Sequence, residues 1–354
     1  MSDLSLSRLA ARTLVIGFEG LTLPEDARAL LARGVGGVIL FKRNLESAPQ
    51  VMALIDACRA AAPGPIWVSV DQEGGRVARL KGLCSDLPPM LSLDSPEEAA
   101  AAGRVLAREL SALGFDLDYT PVMDVLSNPA NPVIGDRAFG RTVEEVLAHA
   151  LPLLEALQEG GVAACAKHFP GHGDTEIDSH VGLPVVEHDL GRLRALELKP
   201  FAEAIAAGVT TVMTAHLIVK AIDPELPATM SAKVLSILRD ELGFDGLCLS
   251  DDLEMGAVAE RWPVPEAGLM ALQAGVDQVL ICHQAARQRG YLEAIEVAVE
   301  DGRLPLERLE QAVARIDAAM ECFAPDRDRP AWDAAWTEGE ATSVEYGDDP
   351  TGGR

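Results

Sequence analysis

Positive charge is what this chain has least of. It carries 30 Lys and Arg against 55 Asp and Glu, a formal net charge of −25 over 354 residues, and a field of that sign argues against nucleic acid and against anionic membrane surfaces as partners. Long hydrophobic runs are missing as well. Nowhere do eighteen apolar residues follow one another, which leaves no candidate spanning helix, and the start Met1-Ser2-Asp3-Leu4-Ser5-Leu6-Ser7-Arg8 has no continuous apolar segment ahead of a small-residue cleavage site. The six cysteines (Cys58, Cys84, Cys165, Cys248, Cys282 and Cys322) show no C-x-x-C spacing, and several fall inside apolar segments. They read as small buried hydrophobes of a reducing compartment, so a cytoplasmic location is expected. A dinucleotide fingerprint is absent too, because Gly17-Phe18-Glu19-Gly20 after the first apolar run does not make Gly-x-Gly-x-x-Gly.

What is present is 48% hydrophobic residues, enough for a sizeable core. They are gathered in eight short apolar runs with the length of buried parallel strands: 13–18, 36–41, 66–70, 115–120, 162–166, 210–214, 246–250 and 277–282. Helix-like stretches separate them, for instance 97–113, where Leu106, Leu110 and Leu113 repeat at the spacing of one helical face. Eight such units over roughly 320 residues predict an α/β fold, a single (β/α)8 TIM-type barrel, better than a doubly wound sheet. The catalytic barrel is expected to span residues 1–323. From Pro325 the composition turns charged and turn-forming, so 324–354 reads as a flexible acidic tail, with Trp332 and Trp336 as candidates for docked aromatics.

In such a barrel, chemistry sits where the strands end, so the polar residues after each run are the candidates. The fifth run leads into Lys167-His168-Phe169-Pro170-Gly171-His172-Gly173-Asp174-Thr175-Glu176-Ile177-Asp178-Ser179-His180, which holds three of the seven histidines. The third run is followed by Asp71-Gln72-Glu73-Gly74-Gly75-Arg76 and Arg79, the fourth by Asp124 and Gly135-Asp136-Arg137, the sixth by His216, and the seventh ends in Ser250-Asp251-Asp252. Asp251, at the end of a rigid strand, suits a nucleophile or base, whereas Asp252 reads better as a helix N-cap. Asp178 and His180 stand two apart, close enough for the carboxylate to fix the imidazole tautomer and support an imidazolium that protonates a leaving group. Arg79, Arg137, Lys167 and His168 supply donors for hydroxyls or a carboxylate, and Asp71 is an acceptor able to bind a vicinal diol. Two other readings remain at this point: a barrel hydrolase with metal held by His168, His172, Asp174, Asp178 and His180, and a sugar-binding barrel without catalysis.

Taken together, Lys167-His168-Phe169-Pro170-Gly171-His172-Gly173 with Asp178-Ser179-His180, Asp71-Gln72-Glu73-Gly74-Gly75-Arg76, Gly135-Asp136-Arg137 and Ser250-Asp251-Asp252 resemble the bacterial β-N-acetylhexosaminidases of glycoside hydrolase family 3. The resemblance spans residues 13 to about 322. It implies Asp251 as nucleophile, His180 oriented by Asp178 as acid/base, and Asp71, Arg79, Arg137, Lys167 and His168 as ligands of the N-acetylglucosamine (GlcNAc) ring. It further implies a cytoplasmic peptidoglycan-recycling enzyme that removes GlcNAc from anhydro-muropeptides. Such an enzyme is expected to need no cofactor or metal, to have no nucleic-acid or membrane partner, and to work as a monomer.

Overall fold

The computed structural model describes residues 5–176, 179, 182–323 and 331–332. Eight parallel strands close on themselves: β1 (Leu14–Ile16), β2 (Gly37–Ile39), β3 (Trp67–Val70), β4 (Leu117–Asp118), β5 (Ala163–Phe169), β6 (Thr211–Thr214), β7 (Leu247–Asp252) and β8 (Gln278–Ile281). Each falls on one of the eight apolar runs. Closure is made by β1 against β8, with Leu14 beside Val279 and Ile16 beside Ile281.

Period-two alternation sorts the strand residues into two layers. Val15, Ile39, Trp67, Leu117, Tyr119, Ala163, Cys165, Leu247, Leu249 and Leu280 form one apolar cluster that fills the barrel. Their neighbours Leu14, Ile16, Val38, Val68, Ala164, Cys248 and Val279 belong to the larger cluster packed under the helices. The interior cluster also takes in Ile316, Ala319, Met320 and Phe323, so the end of the helix Leu306–Cys322 plugs the barrel. Full burial of such side chains contributes roughly 1.5–3 kcal/mol each.

The helix expected at 97–113 runs Pro96–Leu113. Ser95 caps it by accepting the Glu98 N–H at 3.2 Å, and Gly114, at φ 102°, ends it in the left-handed region. No disulfide joins the six cysteines, and five of them are buried. Burial pushes the thiols of Cys58, Cys165 and Cys248 up to about 12, so they stay protonated and inert. Among the described residues no helix is long and apolar enough to cross a membrane. Of the expected tail, only 331–332 are described; Trp332 packs, half-buried, against the main core.

Candidate active site

The inward parity that builds the core also builds the site. Continuing the inward parity of β3, β5 and β7 leads from Trp67 through Ser69 to Asp71, from Cys165 to Lys167 and from Leu249 to Asp251. All three line one cavity of about 390 Å³ at the C-terminal mouth of the barrel. Arg79, Arg137 and His168 line it as well, so six of the eight candidate residues meet there. The other two, Asp178 and His180, lie outside the described residues.

A buried ion-pair network forms the donor wall. Lys167 Nζ, 2% exposed, donates to Asp71 Oδ1 at 2.9 Å and to Glu73 Oε1 at 2.5 Å. Arg137 meets Glu73 in a fork, Nε to Oε2 and Nη2 to Oε1, both at 2.8 Å. Burial would raise the Glu73 carboxyl and lower the Lys167 ammonium, but the opposite charges around them win. Arg137 and then Lys167 hold Glu73 below the carboxylate range, and Asp71 and then Glu73 hold Lys167 above its usual value. Arg79 approaches Asp71 Oδ2 at 3.9 Å, while its buried Nε has no hydrogen-bond partner among the described residues.

Asp124 organises the next sector. It accepts from His168 Nδ1 at 2.7 Å and from the His172 N–H at 2.6 Å, leaving His168 Nε2 to accept from Arg137 Nη2 at 3.3 Å. The loop can run this close because residue 173 is glycine: a Cβ there would stand 1.8 Å from the Val125 carbonyl oxygen. His172 is engaged at both ring nitrogens, by Thr175 Oγ1 at 2.6 Å and Ser179 Oγ at 3.2 Å. Asp174 turns away to Ser127, His188 and Arg192. The described members of the alternative metal set are thus each held by protein partners.

Asp251 differs from the other described acids that line the cavity. Among the described residues its carboxylate accepts only the Asp252 N–H, at 2.8 Å, and makes no ion pair. Burial would raise it, yet the imidazoles of His216 and His168, the Asp252 amide and Lys167 together hold it below the ordinary carboxylate range. It is therefore ionised at neutral pH and unencumbered by a cation. Asp252 corrects an expectation: it caps no helix, since the next one, Gly256–Ala259, follows Met255. Its carboxylate instead accepts the Glu254 N–H at 3.0 Å and pairs with His283 Nε2 at 3.1 Å, which raises the imidazole's pKa. Glu73, Asp124 and His216 stood among the polar residues after the apolar runs without an assigned role, and His283 was not named. Glu73 had a further signal, being two residues after Asp71 on the same parity.

A (β/α)8 barrel whose mouth gathers carboxylates, one of them unpaired, with a wall of fixed donors has the build of a glycoside hydrolase. The family model described as the glycosyl hydrolase family 3 N terminal domain matches residues 17–319, and the chain belongs to this family. Among similar proteins are a beta-hexosaminidase of Alkalilimnicola ehrlichii, 42% identical over 76% of this chain and 80% of that one, and a beta-hexosaminidase of Nitrosomonas eutropha, 40% identical over 85% and 90%. A solved family 3 beta-N-acetylglucosaminidase from Paenibacillus sp. str. FPU-7 superposes with a TM-score of 0.90 at 39% identity, over 96% of this chain and 68% of that one.

Proposed function

We propose that the chain is a retaining exo-β-N-acetylglucosaminidase that removes terminal β-linked GlcNAc from peptidoglycan fragments of the anhydro-muropeptide kind, in the cytoplasm. The observation that carries the reaction type is Asp251, the one carboxylate lining the cavity that has no ion-pair partner among the described residues. A nucleophile must offer an ionised oxygen that no ion pair quenches. Its attack on the anomeric carbon would give a glycosyl ester and expel the aglycone. His180, oriented by Asp178, would protonate the leaving oxygen and then, as the neutral base, activate the water that hydrolyses the ester.

The donor wall suits the sugar. Asp71 and Lys167 together offer an acceptor and a donor to adjacent hydroxyls, Arg137 and His168 offer further polar contacts, and the unpartnered Arg79 Nε is a buried donor that a ligand oxygen would satisfy. The relatives named beta-hexosaminidase support a hexosamine, and the similar solved structure named a beta-N-acetylglucosaminidase supports its N-acetylated form, as the substrate class. The muropeptide aglycone rests on the resemblance of the motifs.

The test is a set of initial rates on aryl β-glycosides of GlcNAc, GalNAc and glucose, with and without chelator, followed by trapping with a slow 5-fluoro-GlcNAc substrate and peptide mapping. GlcNAc should be strongly preferred, EDTA without effect, and the ester found on Asp251. Activity lost to EDTA and restored by Zn2+ would assign the loop histidines to a metal. Binding of GlcNAc glycosides without turnover would mark a lectin-like barrel, and an ester on Asp252 would overturn the choice of nucleophile.

A further inference from the structure

The parallel ladder between β6 and β7 runs in register from Thr211 beside Leu247 to Thr214 beside Ser250, and there it stops. On the other side of β7, the pairing with β8 shifts register between Leu249 and Asp252. The strand end that carries Asp251 therefore has no ladder partner on the β6 side, while on the β8 side it is held beyond the register shift, with Asp252 beside Leu280 and the Leu253 N–H on the Leu280 carbonyl at 3.0 Å. Two residues beyond Thr214 stands His216, 1% exposed, and its Nε2 lies 3.0 Å from the Asp252 carbonyl oxygen, two residues beyond Ser250. An imidazole takes the place that the next ladder amide would have filled.

A carbonyl can only accept, so Nε2 carries a hydrogen; in the neutral ring Nδ1 is then an acceptor facing the Thr229 hydroxyl at 2.8 Å, and that hydroxyl also reaches the Ala215 carbonyl at 3.0 Å and Thr214 Oγ1 at 2.9 Å. Burial lowers the ring's pKa, in keeping with this neutral tautomer. His216 itself does not line the cavity, whereas Asp251 does and accepts the Asp252 N–H. A chain of contacts thus runs from Thr229 through His216 to the Asp252 backbone and on to the Asp251 carboxylate.

We propose that His216 is a positioning residue for the glycosylation step: by replacing the missing ladder amide it fixes the backbone on either side of Asp252 and so aims the Asp251 carboxylate at the anomeric carbon. This rests on Asp251 being the nucleophile. Near-attack geometry is exacting, and a displacement of about 1 Å costs on the order of 100-fold in rate. The donor wall on β3 and β5 is untouched by His216, so sugar affinity and nucleophile alignment separate.

The experiment compares wild type, His216→Phe, His216→Gln and Thr229→Val for the rate of Asp251 labelling by 5-fluoro-GlcNAc fluoride and for GlcNAc affinity by calorimetry, after thermal melts verify folding. His216→Phe fills the space without a donor and should label on the order of 100-fold more slowly, with GlcNAc affinity changed less than about threefold. His216→Gln keeps an N–H donor and should recover most of the rate. Its kcat/KM pH profile should keep the wild-type midpoints, because a neutral positioning ring transfers no proton. If His216→Phe does not fold, Thr229→Val decides, with an expected severalfold slower labelling at unchanged affinity. Wild-type labelling rates in folded His216→Phe or Thr229→Val, equal losses in affinity and labelling, or a shifted pH limb in His216→Gln would each overturn the proposal. Failure of the wild-type protein to label Asp251 would instead overturn the assigned nucleophile.

Discussion

Replacing Glu73 by Gln tests the donor wall most directly. Glu73 is 1% exposed and accepts on both oxygens, from Arg137 Nε on one and from Arg137 Nη2 and Lys167 Nζ on the other. A glutamine cannot satisfy this arrangement, because whichever way the amide is turned its NH2 faces a donor. Lys167 retains Asp71, but Arg137 loses its only ion-pair partner among the described residues. Removing one partner of a buried pair costs about 3–5 kcal/mol. With an unfolding entropy of about 2.1 cal/mol/K per residue over roughly 320 residues, that corresponds to a Tm lower by about 4–7 °C. Glu73 ionises more readily folded than unfolded, so its contribution is full above the ordinary Glu pKa of roughly 4.3 and is lost as the pH falls below it. Calorimetric melts should show a constant gap between wild type and Glu73→Gln from about pH 8 to 5 that narrows on further acidification, and KM for the aryl GlcNAc glycoside should rise. A Tm difference under about 1 °C at pH 7, or a gap that widens in acid, would refute the reasoning.

Further outcomes follow from the histidines. Burial outweighs the nearby Asp124 and pushes His172 down to about 4, so the unfolded chain takes up its proton first and stability is lost as the pH falls from about 6.5 toward 4. The shift is worth about 3 kcal/mol; denaturant titrations of His172→Asn should show a shallower decline across that window, and an unchanged slope would contradict the buried neutral ring. For the acid/base, His180→Ala should cost a hundred- to ten-thousand-fold on a natural aglycone yet spare glycosyl-enzyme formation from a dinitrophenyl glycoside, with azide speeding the stalled second step. Asp251→Ala should abolish both steps, and equal losses for the two variants without an azide effect would remove His180 from proton transfer.

The barrel was legible because its strands are buried on both faces and therefore stand out as apolar runs between amphipathic helices. All eight runs became strands, although six of the strands are shorter than their runs and those at 163–169 and 247–252 reach beyond them; at 115–120, only Leu117–Asp118 pairs regularly. Asp71, Lys167 and Asp251 were legible for a related reason, since each continues the inward parity of a core strand. The function of Glu73 was not, because its partner Arg137 lies 64 residues away and no local pattern links them. Asp252 was misread as a cap because strand-end aspartates so often cap helices, whereas here three residues intervene before Gly256 and a distant His283 takes the carboxylate. His216 sits after an apolar run like any core histidine, and only the broken ladder beside it gives its N–H a purpose.

Barrel closure has a consequence for how the molecule is made. The β1 edge finds its partner only in β8, roughly 265 residues later in the chain, and the interior is sealed only when Ile316, Ala319, Met320 and Phe323 arrive. At a synthesis rate of about 5–20 residues per second, an open sheet with an unpaired first strand persists for about 13–50 s on the ribosome. During that interval the β1 edge and the barrel's apolar lining are exposed together, which makes the nascent protein, unlike the finished one, a client for chaperones that bind extended apolar segments.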